Sequence, residues 1–457
     1  MTLVNKTAFA LLCVTIIFTT LAYGAVHQPV IAIFYIMTGT MFILWAVDGY
    51  ITGGIKLNSS PLQIPLLATV LYGIIQIIPF GSIAETGGIS GIPLTISLDP
   101  FSTQATALHI FSLSLFFSIS MTLIDSASRL RKLVIVITVF GFVFAFYAIL
   151  QAVLSPAKIY GIYERIGAVP FGSFVNRHNF AAYMEMTLSL PLGLLFTGAI
   201  AKDKRLLYVT AISLMGVALL LSGSRGGLVA FLAEIIFLTI LTTKDRSGRK
   251  LYLKIGLAVI LVAAIIVGSF FVGGESSLTR IAETSGSENV TSDRSHIWNV
   301  TLSVITNNLP LGAGLGSFGV AYTAYDTRSG FERVEQAHND YLQVAADAGI
   351  VGIFIGLFFM VNFFRIGLKA IKVENTFRRG IAAGAFAGCF AIFIHSIFDF
   401  VLHITAISVL FLILTTLLVA SCYSYKDDTE ELMDGNVKRK RTSRVASISS
   451  VKRKEIN

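Results

Sequence analysis

Apolar runs of nearly twenty residues recur along almost the whole chain, separated by short polar breaks. About twenty helical residues cross roughly 30 Å of hydrocarbon, and a helix satisfies its own backbone polar groups there. The pattern predicts twelve such spans, over 7–25, 29–50, 62–80, 104–124, 132–154, 179–200, 205–221, 226–243, 251–272, 343–371, 379–399 and 404–423. The alternating apolar and polar segments of about ten residues that build an outer-membrane barrel are missing. The predicted fold class is therefore an all-α integral membrane protein. Composition agrees: 54% apolar and 13% charged residues, with mean hydropathy +0.77, exclude an ordinary soluble domain, whose charged share is about a quarter. The first span imitates a secretory signal peptide, with Lys6 before an apolar core and small residues among Ala22, Tyr23, Gly24 and Ala25. Its removal would leave the remaining topology unchanged.

Charge sets the orientation. Counting alternate loops from a cytoplasmic N-terminus puts 27 of the 35 basic residues inside. Lys158, Arg165, Arg177, Arg225, Arg280, Arg294, Arg328 and Arg333 remain outside. This satisfies the positive-inside rule and predicts a multi-pass protein of a bacterial inner membrane with both termini cytoplasmic. Residues 1–425 form one polytopic domain. Residues 426–457, with the basic run from Lys438 to Arg444, read as a disordered tail held near anionic lipid. The stretch from Lys438 to Lys454, with eight basic residues and no acid, accounts for much of the net charge of +9. Nucleic acid is not an expected partner, because charge alone specifies none. Residues 273–342 make an outer loop between the ninth and tenth spans, too long for a simple connection and expected to carry short helices. Cys13, Cys389 and Cys422 fall in apolar spans without metal-ligand spacing, so they pack rather than ligate. Neither a metal nor a cofactor is expected.

Candidate chemistry collects on the predicted outer face, where function concentrates in loops. The amphipathic stretch from Ser292 puts Arg294 in the first turn of a helix, adding to a field that suits an anion; a snorkelling interfacial arginine is the alternative. The segment PLGAGLGSFGVAY from Pro310 spaces Gly314 and Gly316 in a turn that either aims N–H groups at phosphate or packs on the membrane surface. In HNDYLQVAADAGIVG, Asn339 or Asp340 caps the helix of the tenth span and holds His338 at the surface. Histidine suits proton transfer near neutral pH, although a structural role competes. Arg225 sits in the short loop SGSRGG, where a guanidinium is costly unless it meets an anion or pairs with an acid such as Glu185 or Asp399. Asn176, Arg177, His178 and Asn179 lie at the mouth of the sixth span, as sugar or phosphate ligands or as helix caps. His395, Asp399 and His403 occupy the last outer turn, with helix-to-helix contacts as the alternative. Glu234, inside the eighth span, pairs internally or is protonated.

The pieces GSFVNRHNFAAYMEM, SGSRGG, DRSHIW, PLGAGLGSF and HNDYLQVAADAGIVG, in this order and on one face, resemble the O-antigen ligase and polymerase superfamily. The resemblance spans roughly 170–360, and topology extends it to the whole chain. It implies a C-type glycosyltransferase-like architecture that moves a glycan from an undecaprenyl diphosphate carrier to an acceptor on the periplasmic side, without a metal. It further implies that Arg225 and Arg294 bind the diphosphate and that His338 activates the acceptor hydroxyl. Asn176, Arg177, His178, Asn179, Asn339, Tyr341, Gly314 and Gly316 are candidate substrate-binding residues, with His395 and Asp399 as further possibilities. The acid after the histidine, often glutamate in relatives, is Asp347 here. Lipid A-core is the first expected acceptor. A repeat-unit polymerase of O-antigen or exopolysaccharide and a protein O-oligosaccharyltransferase are the nearest rivals. A lipid-linked glycan transporter is the rival from another class, and it would show paired repeats and broken helices near the midplane.

Overall fold

The structure, a computed structural model, describes residues 2–55, 57–86, 89–164, 169–243, 256, 259, 288–328 and 333–423. The main helices are α1 (Leu3–Leu21), α2 (Gln28–Thr52), α3 (Gln63–Gln76), α4 (Pro100–Leu123), α5 (Ala127–Leu154), α6 (Arg177–Thr197), α7 (Arg205–Leu221), α8 (Arg225–Thr242), α9 (Glu288–Asn308), α10 (Phe318–Thr323), α11 (Asp340–Ala370), α12 (Thr376–His395) and α13 (Thr405–Ala420). Their starts follow the sequence: Thr2, Asp99, Ser126, Asn176, Ser224, Asn339 and Asn375 each accept a first-turn N–H. The protein is an all-α integral membrane protein. Among the described residues nine helices are long and apolar enough to cross a membrane, while α3 and α13 are shorter, at 14 and 16 residues. The expected span 251–272, apart from positions 256 and 259, and the tail 426–457 lie outside the described residues, as does 273–287 of the expected outer loop.

One departure from the helical expectation follows α3. The predicted span 62–80 stops at Gln76, and a two-stranded antiparallel hairpin pairs Gly81–Thr86 with Ile89–Leu94. Helix α3 ends just before Ile78–Pro79, where proline disfavours helical backbone in the residue preceding it, and its end is anchored by the Gln76 side chain. It is fully buried; its Nε2 donates to the carbonyls of Leu311 (3.2 Å) and Asp347 (3.0 Å), and its Oε1 accepts from Leu315 N (2.9 Å).

At the centre α6 lies against α12, and α8 packs on both. A Cβ at Gly193 of α6 would collide with the backbone of Gly380 and Gly384, and one at Gly384 with the backbone of Ser189 and Leu190. These glycines bring the two backbones into contact, which is how membrane helices gain packing energy without a hydrophobic driving force. Helices α1 and α2 sit at the periphery, and residues such as Ile36 and Ile43 on α2 are exposed as lipid-facing residues should be.

Helix α11 is broken at Gly349, with φ 58° and ψ −145°. The segment 310–314 fills the break. Ala313 N donates to Ala346 O (2.8 Å), Gly314 N to Asp347 O (3.0 Å), and Ile350 N to Pro310 O (2.9 Å). A broken helix survives at membrane depth only where such partners satisfy its freed groups.

Candidate functional site

Helices α6, α8 and α11 all begin at one end of the bundle, and hydrogen bonds tie their first turns together. His178 Nδ1 lies 2.9 Å from Ser224 Oγ, the N-cap of α8, which accepts from Gly227 N at 3.1 Å. Asp340 N donates to Ser396 O (2.9 Å), and Asn339 Nδ2 to Ile397 O (3.0 Å), joining α11 to the turn after α12. That turn carries Asp399, which is 1% exposed.

Asp399 is the junction of the site. Its Oδ1 lies 3.0 Å from His338 Nδ1, and its Oδ2 lies 3.6 Å from Arg294 Nη2. Burial favours the neutral acid, but the hydrogen bond from His338 and the charges of His178, His338 and Arg294 outweigh it and hold the carboxyl well below the usual carboxylate range. His338 stands in the left-handed region at φ 50°, its ring edge-on to Phe400 at 4.9 Å. Few residues other than glycine adopt that conformation, and where they do the surrounding structure enforces it. The side chains of His338 and Arg294 remain 31% and 27% exposed, so both are reachable from outside.

Arg225 is the exposed first residue of α8. Its neighbour Gly226 packs against Phe398 and His395, so the base of Arg225 abuts the turn that carries Asp399. Neither acid considered as its partner in the sequence is idle. Glu185 lies 3.0 Å from His395 Nδ1 in a fully buried pair, and Asp399 serves His338 and Arg294. Arg177 opens α6 with a guanidinium nitrogen close to Gly223. Arg294, His338, Asp399, His178 and the backbone carrying Arg225 therefore converge.

Most other candidates have their polar atoms engaged within the protein, although the buried Asn179 Oδ1 has no hydrogen-bond partner among the described residues. Asn176 caps α6 by accepting from His178 N at 2.8 Å, while Asn179 is buried in the same helix. Asn339 caps α11 through Tyr341 N and Leu342 N, and Tyr341 OH donates to Phe393 O at 2.7 Å. Gly314 N is bonded to Asp347 O, and Gly316 N to Asp347 Oδ2 at 3.1 Å, so both glycine amides face the break in α11. Asp347 also accepts from Gln343 (3.2 Å) and ties that turn to the helix. Glu234 is fully buried in α8, and neither carboxylate oxygen has a hydrogen-bond partner among the described residues.

Residues 210–357 match the family model described as O-Antigen ligase. The chain carries an O-antigen ligase domain. The match covers about a third of the chain, agrees with the likeness of its motifs, and supports a membrane glycosyltransferase of O-antigen ligase or polymerase type in general. The domain covers Arg225, Arg294 and His338, whereas Asn176–Asn179 and Asp399 lie outside the matched residues. No curated protein matches the chain.

Sequence reasoning missed two pairings around this domain. Ser224 holds His178, a contact whose only signal was a serine directly before Arg225. His403 Nδ1 lies 2.8 Å from Asp340 Oδ1, making a third His–carboxylate pair beside those of His338 and His395. Burial works against the charged imidazole, but hydrogen bonding to Asp340 and the carboxylates of Asp340 and Asp347 raise its pKa overall.

Proposed function

We propose that this protein transfers a glycan from an undecaprenyl diphosphate carrier to an acceptor hydroxyl on the periplasmic face of a bacterial inner membrane, with inversion at the anomeric carbon. The supporting observation is the junction at Asp399, where His338 and Arg294 meet although 61 and 105 positions separate them from it in sequence.

Asp399 accepts the Nδ1 hydrogen of His338, which fixes the tautomer and leaves Nε2 as the base. The acceptor hydroxyl gives its proton to Nε2 as its oxygen attacks the anomeric carbon. The bond from that carbon to the diphosphate oxygen breaks, and negative charge grows on the leaving group. Arg294 and Arg225 meet that charge with forked donors suited to phosphate oxygens. The N-termini of α6 and α8 add positive potential at the same end. Guanidinium groups thus take the role a divalent ion plays in enzymes that use nucleotide sugars. Transport is the less supported reading, because the break in α11 is closed by segment 310–314.

Purified protein supplied with one carrier-linked oligosaccharide and, in turn, lipid A-core, a second carrier-linked chain or a protein acceptor tests the proposal. Transfer to lipid A-core is the expected result. Elongation of the second chain or glycosylation of protein would reassign the acceptor, and carrier-dependent movement across the bilayer without any transfer would overturn the enzyme reading.

A further inference from the structure

Aromatic rings from separate segments gather beside the site. Tyr23 follows α1, His27 precedes α2, Tyr147 lies near the end of α5, and Tyr160 and Tyr163 belong to the turn closed by the Ile159–Tyr163 bridge. Tyr23 lies 5.5 Å from His27, 5.7 Å from Tyr160 and 5.0 Å from Tyr163 between ring centroids, and Tyr147 stacks on Tyr160 at 5.6 Å. Tyr23 and Tyr160 hold left-handed backbone, at φ 59° and 55°. Such conformations are unfavourable for large side chains and concentrate at ligand clamps and active sites. The Tyr160 hydroxyl donates to the Leu21 carbonyl and locks its ring, yet Tyr160 stays 40% exposed.

The cluster is joined to the segment that leads into α6. Gly24 lies against the Phe174 ring, and Ser173 Oγ donates to Thr20 O at 2.6 Å. Phe174 precedes Arg177 by three residues, a reach of roughly 10 Å along the chain.

We infer that these rings form a glycan-binding platform that holds pyranose units away from the reacting sugar. The inference rests on the glycan-transfer reading above. An apolar C–H face of a pyranose fits the electron-rich face of a tyrosine, and Tyr160 is the ring of the cluster that stays open to such a face. Interface aromatics that anchor helices form a belt at headgroup level around the protein. Here the rings contact one another across three chain segments, and their link to Arg177 runs toward the site.

The test uses the full chain reconstituted in phospholipid nanodiscs, with undecaprenyl diphosphate bearing either one N-acetylhexosamine or several repeat units as donor. The Tyr160→Ala, Tyr163→Ala double variant should raise KM for the long donor by roughly 5- to 100-fold while kcat and the short donor change less than about twofold. The Tyr160→Phe, Tyr163→Phe variant, which keeps both faces, should restore most of that loss. A matching series of short and long acceptors tells which substrate supplies the sugars. Equal losses for short and long substrates in both series, or losses shared by the alanine and phenylalanine variants and tracking thermal stability, would overturn the platform in favour of a membrane anchor. Should wild type transfer no glycan at all, the transfer reading fails. Saturation-transfer NMR with carrier-free oligosaccharide then decides the platform separately: contact present in wild type and His338→Ala but absent in the double alanine variant supports it, and no contact in any of them overturns it.

Discussion

Two histidine–carboxylate pairs stand at the same end of the bundle in different surroundings. His395 and Glu185 are 1% and 0% exposed, sealed where α6, α8 and α12 meet. His338 and Asp399 differ in one respect: the carboxylate is buried while the imidazole is 31% exposed. A sealed pair holds helices in register, because breaking it strands a charge. Of these two pairs, only His338–Asp399 can exchange a proton with a substrate. Access separates them, and what sets His338 apart from the equally open His403 is the arginine that shares its carboxylate.

The largest expected effect is on the open pair. His338→Ala should lower turnover by about 10² to 10⁴, the usual contribution of a general base, with thermal stability nearly unchanged. The sealed pair should behave in the opposite way: Glu185→Ala should destabilise the protein by roughly 3–5 kcal/mol, read by thermal unfolding in detergent, while the surviving folded enzyme keeps its kcat. A Glu185→Ala variant of full stability and lost activity would erase the distinction between the pairs.

Asp399→Asn keeps the shape at the junction and removes its charge. Turnover should fall by roughly 10- to 150-fold, the worth of a hydrogen bond to a charged group, and donor affinity should change little. Because the Asp399 carboxyl is held below its ordinary 3.8, the stability it contributes is present above that value and is lost only as pH falls through the lower folded value. Loss of activity between pH 7 and 5 should therefore persist in Asp399→Asn if it arises elsewhere, which a pair of pH–rate profiles checks.

The smallest effect concerns His403, whose pKa is raised by Asp340. Its stabilisation should be fully present below the ordinary 6.5 and disappear as pH rises through the folded value. The difference in melting temperature between wild type and His403→Gln should accordingly shrink from pH 6 to pH 9. A constant difference would show that the pair contributes packing rather than charge.

The helices were legible because lipid imposes length and apolarity on every span, and their starts because Asn, Ser, Thr and Asp sit at the caps. The hairpin at 81–94 was not, since its Gly-rich and short alternating pattern adjoins an apolar run. Nor was the anchoring of the α3 end through Gln76, whose partner carbonyls lie more than two hundred positions away. Arg225, Arg294 and His338 stood out as polar residues next to apolar spans. Asp399 was visible only as one of several acids and histidines near a turn, because its importance lies in which residues it joins. The glycines at 314 and 316 offered two readings in sequence; in the structure their amides serve the break at Gly349, a tertiary partnership with no local signature.

The most direct measurement is a reconstituted transfer assay that follows donor binding and product together in wild type and His338→Ala. Wild type should join the glycan to the acceptor with inverted anomeric configuration and release undecaprenyl diphosphate, whereas His338→Ala should bind the donor with similar affinity and form product at about 10⁻² of the rate or less. Wild-type turnover by His338→Ala, or a product of retained configuration, would contradict the mechanism.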